Sequence, residues 1–445
     1  MNNPSQSSKS SPAERPRVVI VGGGFAGVSA AKALRDSPVD VLLIDRRNHH
    51  IFQPLLYQVA TAVLAPADIA APLRQLAEKQ ANLSIMMAEV SAVDRHAQTV
   101  TVTPPGLQEQ AIPFAYLIVA TGVHTNYFGR DDFAAHSQSL KTLTDAESIR
   151  GRILGAYERA EQTDDAEDRQ RAQTFVLVGA GPTGVELAAS IAQMAVVTLR
   201  DNFRRIDPAR TRIVLLEAGP RVLPSFDESL SSKAADRLRT LGVEVLTGTR
   251  VDEIDAGGVV FGGQRIESAT VLWTAGVQAS PLISLLGAKT DRAGRAWVEP
   301  GLHLEGDPNM FVVGDAACLL QDGRPVPGVA QAAIQQGHYV GQRIAATVAG
   351  RADEAAFRYA DRGNMAVVGK NFAILERGRW KTSGVATWFL WALLHVAFLP
   401  QLQNRLRVQI QWLWSYMSGQ RSSRLIPEAQ EPIKAPERAE ARVRV

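Results

Sequence analysis

Two clusters of glycine in this chain have the spacing that phosphate recognition requires. Gly22, Gly24 and Gly27 follow the apolar run Val18 to Val21 and open an alanine-rich segment, and Asp45 closes the next apolar run, Val41 to Ile44. Gly179, Gly181 and Gly184 repeat the device after Phe175 to Val178, with Glu217 closing Ile213 to Leu216. In such a turn the first glycine permits the tight bend, the second lets backbone approach a pyrophosphate, and the third lets helix pack on strand. The helix N-terminus adds free N–H groups and positive potential. A carboxylate at the next strand end accepts hydrogen bonds from ribose hydroxyls. At Glu217 it would also repel a 2'-phosphate, favouring NADH over NADPH, although Arg221 nearby weakens that inference. The bland alternatives are a structural glycine turn and a solvated strand-end acid.

The elements around these residues must hold them in place. Strands buried on both faces read as continuous apolar runs, as all four runs above do, so two doubly wound parallel sheets follow. Tyr116 to Ala120 runs into Gly122 and Val271 to Thr274 into Gly276, closing the two sheets. Met310 to Val313 leads into Gly314 and Asp315, and the helically spaced VAQAAIQQGHYVGQRIAATV then returns to the first domain. Two dinucleotide sites in one chain point to a flavin held at one and a nicotinamide admitted at the other, with hydride passing between them. Asp315, beside the first sheet, can bind a ribityl hydroxyl or serve as a helix N-cap. FAD is therefore assigned Gly22, Gly24, Gly27, Asp45, Gly122, Gly314 and Asp315, and NADH is assigned Gly179, Gly181, Gly184, Glu217 and Gly276.

Composition narrows the rest. Hydrophobic residues are 46% and charged residues 21% of 445, a globular balance, and a formal charge of +3 without a basic block gives no support for nucleic-acid binding. Cys318 is the only cysteine, so no intramolecular disulfide, CxxC pair or four-cysteine metal site can form. Redox chemistry that acts through paired cysteines is thereby excluded. His49 and His50 have no third ligand at recognisable spacing and read as polar loop residues; no metal is expected. The Ser- and Pro-rich first sixteen residues lack a secretory apolar stretch and read as a disordered tail, which keeps the protein in the cytoplasm. Glu158 to Arg171 reads as an exposed helix end or linker. No run reaches the ~20 apolar residues of a spanning helix. Five of the seven tryptophans crowd beyond Phe357, where Val385 to Leu399 and a following segment mix Leu406, Ile410, Leu413, Trp414 and Met417 with Arg405, Arg407, Arg421 and Arg424. Such a module suits the membrane interface, with Trp at headgroup level and Arg toward anionic lipid; the alternative is a dimer interface or a core-packed helix pair.

The order VVIVGGGFAG, LIVATG, VLVGAGPTGVE, LWTAG and FVVGDAA resembles the flavoprotein reductases with two dinucleotide-binding domains. Within them, DRRNHHIFQPLLYQVAT, GPTGVELA, AQAAIQQG and the Trp-rich C-terminus are similar to the type II NADH:quinone oxidoreductases, over nearly the whole chain beyond the N-terminal tail.

The resemblance implies an α/β fold of two Rossmann-like domains, the second inserted in the first, plus a C-terminal helical membrane-associating module. The expected boundaries are a tail at 1–16, the FAD domain at 17–140 and 290–350, the NADH domain at 141–289, a membrane-surface and dimerisation module at 351–430, and a tail at 431–445. It implies that Phe52, Pro54, Leu55, Leu56 and Tyr57 form a dry wall over the isoalloxazine, with Gln58 at FAD. Glu186 would bind nicotinamide or supply protons toward quinone, or merely stabilise its helix. Gln331 and Gln335, four apart on one helix face, would line the quinone pocket, with Gln336 a solvated neighbour. Lys370 and Lys381 are either quinone-site cations or surface lysines. The implied activity is hydride transfer from NADH to FAD, then two electrons to a membrane quinone, ubiquinone or menaquinone, without proton pumping. The expected assembly is a homodimer, peripheral on the cytoplasmic face of the plasma membrane. The alternative functions are reduction of a soluble iron-sulfur or other redox partner, and a non-catalytic NAD sensor.

Overall fold

A computed structural model describes residues 15–351 and 355–426. The expected tails fall outside it, apart from Arg15 and Pro16. The strands Arg17–Val21, Asp40–Asp45, Leu83–Met87, Tyr116–Val119 and Asp307–Val312 form one parallel sheet, with antiparallel His303–Leu304 at its edge. Arg17–Val21 is central, Val18 lying opposite both Val41 and Tyr116. Val18 and Ile20 point into a core shared with helix α1 (Phe25–Ala33), whereas Val19 and Val21 meet residues of a three-stranded antiparallel sheet, Glu89–Asp94, Thr99–Thr103 and Gln110–Pro113. Both faces are covered, which is why the strand is apolar throughout; each such side chain contributes about 1.5–3 kcal/mol on leaving water.

After α1 the chain forms the short helix α2 (Leu56–Ala60), then crosses into a second unit built on the same plan. Gln138–Ser139, Thr270–Trp273, Thr174–Val178, Arg212–Glu217 and Val243–Thr247 make a parallel sheet in that order. Phe175 and Leu177 face residues of helices α3 (Leu143–Gln162) and α4 (Pro182–Gln193), and Val176 and Val178 face another three-stranded antiparallel sheet. An antiparallel ribbon, Val123–Thr125 against Val277–Ala279, carries the chain between units. Gln138–Ser139 is already in the second sheet, and Leu282 and Ile283 are back in the first unit's core.

Helix α5 (Ala330–Val348) lies on α1 almost backbone to backbone: a Cβ on Gly337 would stand 2.0 Å from the Ala26 carbonyl oxygen, and one on Gly341 2.7 Å from that of Ala30. An antiparallel sheet of Asn364–Val367, Ala373–Arg377 and Trp380–Gly384 follows, then helices α6 (Val385–Phe398) and α7 (Leu402–Ser418). Helical spacing divides α7. Asn404 and Val408 are buried and Trp412 packs inward, whereas Leu402, Leu406, Ile410, Leu413 and Met417 are exposed. Trp391, Val396 and Val408 share one core with Leu56 and Val59 of α2 and Leu187 of α4, so this module is fastened to the nucleotide-binding units. No helix among the described residues is long and apolar enough to cross a membrane.

Candidate active site

The two glycine turns have nearly the same geometry. Gly22 and Gly179 adopt φ of +110° and +101°, and a Cβ would lie 2.4 Å from the Ala120 carbonyl oxygen at the first and 2.7 Å from Ala275 at the second. A Cβ on Gly27 or Gly184 would come within 1.9 or 2.0 Å of the carbonyl oxygen of Gly22 or Gly179. A Cβ on Gly24 or Gly181 would meet nothing within 4 Å, so the middle of each turn is open. Neither N-cap, Gly24 or Gly181, has a side chain to satisfy the first-turn N–H groups of α1 or α4. Those donors and the positive helix end are left for an anion. Gly122 and Gly276, at φ +64° and +69°, end the neighbouring strands.

The acids brace the turns from behind. Asp45 accepts hydrogen bonds from the backbone N–H groups of Gly23 (2.7 Å) and Arg47 (2.8 Å), and Glu217 accepts from those of Ala180 and Gly219, both at 2.7 Å. Arg221 donates to the carbonyls of Pro224 and Phe226, which ties its side chain into its own loop.

Two residues near the first turn correct the sequence reading. His50 is not a polar loop residue. It is buried on the short strand His49–Ile51, paired with Ala70–Pro72, with its Nδ1 2.9 Å from the Gly23 carbonyl and its ring edge-on to Phe25. Burial lowers its pKa and keeps it neutral. Gln336 is not solvated either. Its Oε1 accepts the Gly314 N–H at 2.6 Å, because the contact of Gly337 with α1 turns this face of α5 inward. That bond fastens α5 to the Gly314–Asp315 loop. Asp315 caps no helix, since Val329 is the N-cap of α5; burial raises its carboxyl pKa against the pull of Lys141. The Thr121 hydroxyl, next to Gly122, is buried without a hydrogen-bond partner. An open Gly24 face, uncapped N–H groups, an orphan hydroxyl and an enclosed acid make a donor set that FAD fits.

Glu186 projects from α4 toward the segment after α5. It keeps a sliver of surface, but its carboxyl is enclosed by protein, and that desolvation pushes its pKa up to about 8. Its Oε1 accepts the Val367 N–H at 3.3 Å. Gln335 bonds both the N–H and the carbonyl of Ala360, and Gln331 accepts from the Arg362 N–H and donates to the Gly363 carbonyl. A single segment, residues 360–367, therefore contacts all three expected catalytic side chains. Nothing in its sequence, ADRGNMAV, announces this, because the amides recognise backbone, which carries no residue signature.

The segment containing Phe52, Leu55, Leu56 and Tyr57 is buried and apolar. Gln58 is buried too: its Nε2–H donates to the Tyr57 hydroxyl oxygen at 3.0 Å, and its Oε1 accepts the Trp412 indole N–H at 2.7 Å. Lys370 donates to the Tyr416 carbonyl and lies over its ring, and Lys381 pairs with Asp227. Arg421, expected to face lipid, is buried instead, donating to the carbonyls of Thr61 and Ser190 and so pinning the chain beyond α7 to α4.

Residues 16–337 match the pyridine nucleotide-disulphide oxidoreductase family. The chain is 42% identical over 439 residues to the type II NADH:quinone oxidoreductase Ndh of Mycobacterium tuberculosis, covering 96% of this chain and 94% of that one. It is 43% identical to NdhA of the same organism over 93% of this chain and 89% of that one, and 29% identical to the demethylphylloquinone reductase NdbB of Synechocystis over 90% and 96%. The solved structure of NDH2 from Plasmodium falciparum in complex with NADH superposes with a TM-score of 0.83 over 93% of this chain and 100% of that one, at 17% identity, a likeness of fold.

Proposed function

The chain belongs to the pyridine nucleotide-disulphide oxidoreductases and, within them, to the type II NADH:quinone oxidoreductases, and on that premise we propose that it oxidises NADH and reduces a membrane quinone, ubiquinone or menaquinone. The observation that carries the reading is the pair of open, uncapped turns, flanked by one segment that meets Glu186, Gln331 and Gln335.

Gly22, Gly24, Gly27, Asp45, Gln58, Gly122, Gly314 and Asp315 would hold FAD, which would supply the two-electron chemistry between NADH and quinone. The chain's own residues bind and orient. Gly179, Gly181, Gly184 and Gly276 receive NADH, and the Glu217 carboxylate disfavours a 2'-phosphate while Arg221 is held in its loop. The uncapped N-terminus of α5, fixed by Gln336, directs positive potential toward negative charge near Asp315. Quinone needs two protons with its two electrons, and Glu186, whose burial raises its pKa to about 8, would give one. Gln331 and Gln335 hold residues 360–363 as the wall of the quinone pocket.

The exposed apolar row Leu402, Leu406, Ile410, Leu413 and Met417, with Trp414, suits an interfacial rather than spanning contact. The row supports a peripheral membrane contact, and we read its location as the cytoplasmic face of the plasma membrane. Exposed Val196 and Val197, beside Gly419, offer a contact for a second copy in a homodimer. The test is NADH oxidation with a short-chain quinone by the purified yellow protein. Turnover that needs both substrates is expected; a flavin-loaded protein that leaves quinone untouched would overturn the reading.

A further inference from the structure

Helix α7 faces two ways. Its outer row is the surface assigned above to the bilayer, and its inner side puts the Trp412 indole N–H on the buried amide of Gln58. An indole nitrogen can only donate, so this contact fixes which end of the amide is which. The Gln58 oxygen must face Trp412, and the Gln58 N–H then faces Tyr57. The phenol oxygen accepts that bond, so its own O–H is left to be given to another acceptor. Indole, amide and phenol thus form a chain of donors with one direction, from the membrane-side helix inward.

Tyr57 stands at the inner end of this chain. It lies on α2, which packs on α4, and the Glu186 carboxyl acts on it once ionised above its own raised pKa. Burial and that carboxyl together raise the phenol's pKa well above its ordinary value, so it keeps its proton over the working range. Trp412 is itself held by stacking on Trp391, with ring centroids 5.4 Å apart and planes 27° from parallel. The protonated Glu186 carboxyl is assigned the proton rather than this oriented hydrogen bond, and the other donors here are committed elsewhere. Arg421 is committed to backbone carbonyls, and Gln331 and Gln335 to residues 360–363.

We propose that Trp412 is a positioning residue for quinone reduction, its indole N–H orienting the Gln58 amide so that Tyr57 presents its hydroxyl as a donor to a quinone carbonyl. The inference rests on the NADH:quinone reading above. It makes the membrane-side helix part of the acceptor site as well as an attachment. Charge builds on the carbonyl oxygen as electrons arrive, and a preset donor stabilises it there more than in the resting quinone. No bond to carbon is made or broken by Tyr57.

Trp412→Phe keeps an aromatic ring against Trp391 and removes the indole N–H, together with the volume of the fused ring. The loss of one oriented hydrogen bond should lower kcat/KM for a short-chain quinone about tenfold. Flavin bleaching by NADH, and turnover with ferricyanide, which takes electrons without protons, should stay as in the wild type. Tyr57→Phe should lower the quinone kcat/KM by a similar factor, and the double variant should lose no more than Tyr57→Phe alone, because both cut one chain. Three results would each overturn the inference: unchanged quinone kinetics in Trp412→Phe, an equal loss with ferricyanide, or a double-variant loss equal to the product of the two singles. A wild-type protein that reduces ferricyanide and never quinone would overturn the functional reading as well, whereas failure of the variants alone leaves that reading standing.

Discussion

The two nucleotide-binding turns share one backbone plan and differ in what surrounds them. Both have a left-handed first glycine, an open middle glycine, a third glycine pressed on the first, and an acid bracing the turn through backbone N–H groups. The first is closed in by further elements. His50 bonds the turn's carbonyl from beneath, α5 lies on α1 at the distance only glycine allows, and Gln336 ties α5 to the Asp315 loop. Around the second, Arg221 is folded back into its own loop and the enclosed Glu186 leads onward to Val367. The lesson is that a shared phosphate cradle specifies a dinucleotide, and its packing decides whether the ligand stays or exchanges.

The strongest test of that contrast substitutes the open glycines. A Cβ added at Gly24 or Gly181 meets no protein atom within 4 Å, so both variants should fold. Gly24→Val should be purified nearly colourless, whereas Gly181→Val should stay yellow and raise the KM for NADH by at least about 100-fold, the order of effect of filling a tightly packed contact. Flavin absorbance per protein and NADH titration measure both; a loss of flavin in Gly181→Val would erase the distinction.

Glu186 gives the next effect. Its folded pKa is raised from 4.5 to about 8, so the protonated carboxyl favours the native state. That stability is fully present below about pH 4.5 and is lost as pH rises toward 8. Glu186→Gln should flatten this loss: between pH 5 and 8.5 the wild type should lose on the order of 4 kcal/mol from this group in denaturant titrations, and the variant should lack that fall. It should also slow quinone reduction at neutral pH. A wild-type stability that is level from pH 5 to 8 would remove the argument.

A smaller shift is expected at the bracing acids. Glu217→Gln keeps an oxygen for one of the two N–H groups that the carboxylate's two oxygens accept, and removes the charge. It should cut the preference for NADH over NADPH about tenfold, while Asp45→Asn leaves that ratio alone. Smallest is the outer row of α7. Leu406→Ser should weaken binding to lipid vesicles about fivefold, near 1 kcal/mol of lost apolar burial, with NADH bleaching of the flavin unaffected. Equal vesicle binding would move the membrane surface elsewhere.

Much of the nucleotide-binding core was legible in the chain. Four continuous apolar runs ending in glycine or acid carry their own geometry, because a strand buried on both faces has no choice but to be apolar. Gln336 was legible in principle: Ala333, Gln336, Gly337, Val340, Gly341 and Ile344 form one helical stripe, and that stripe is buried. Taking Gln331 and Gln335 as the functional face hid it. His50 and Arg421 were not legible. Each is satisfied by backbone carbonyls from distant segments, Gly23 for one and Thr61 and Ser190 for the other, and such partners leave no trace in sequence spacing. The contact of Trp412 with Gln58 spans 354 positions and was hidden for the same reason.

The account depends most on one flavin serving both substrates in turn. Mixing the yellow protein anaerobically with a single equivalent of NADH and then with excess quinone, while following flavin absorbance, examines this directly. The prediction is rapid bleaching in the first mix and full return of colour in the second, with one quinol formed for each NADH consumed. Colour that fails to bleach, or that bleaches and returns only when air is admitted, would contradict it.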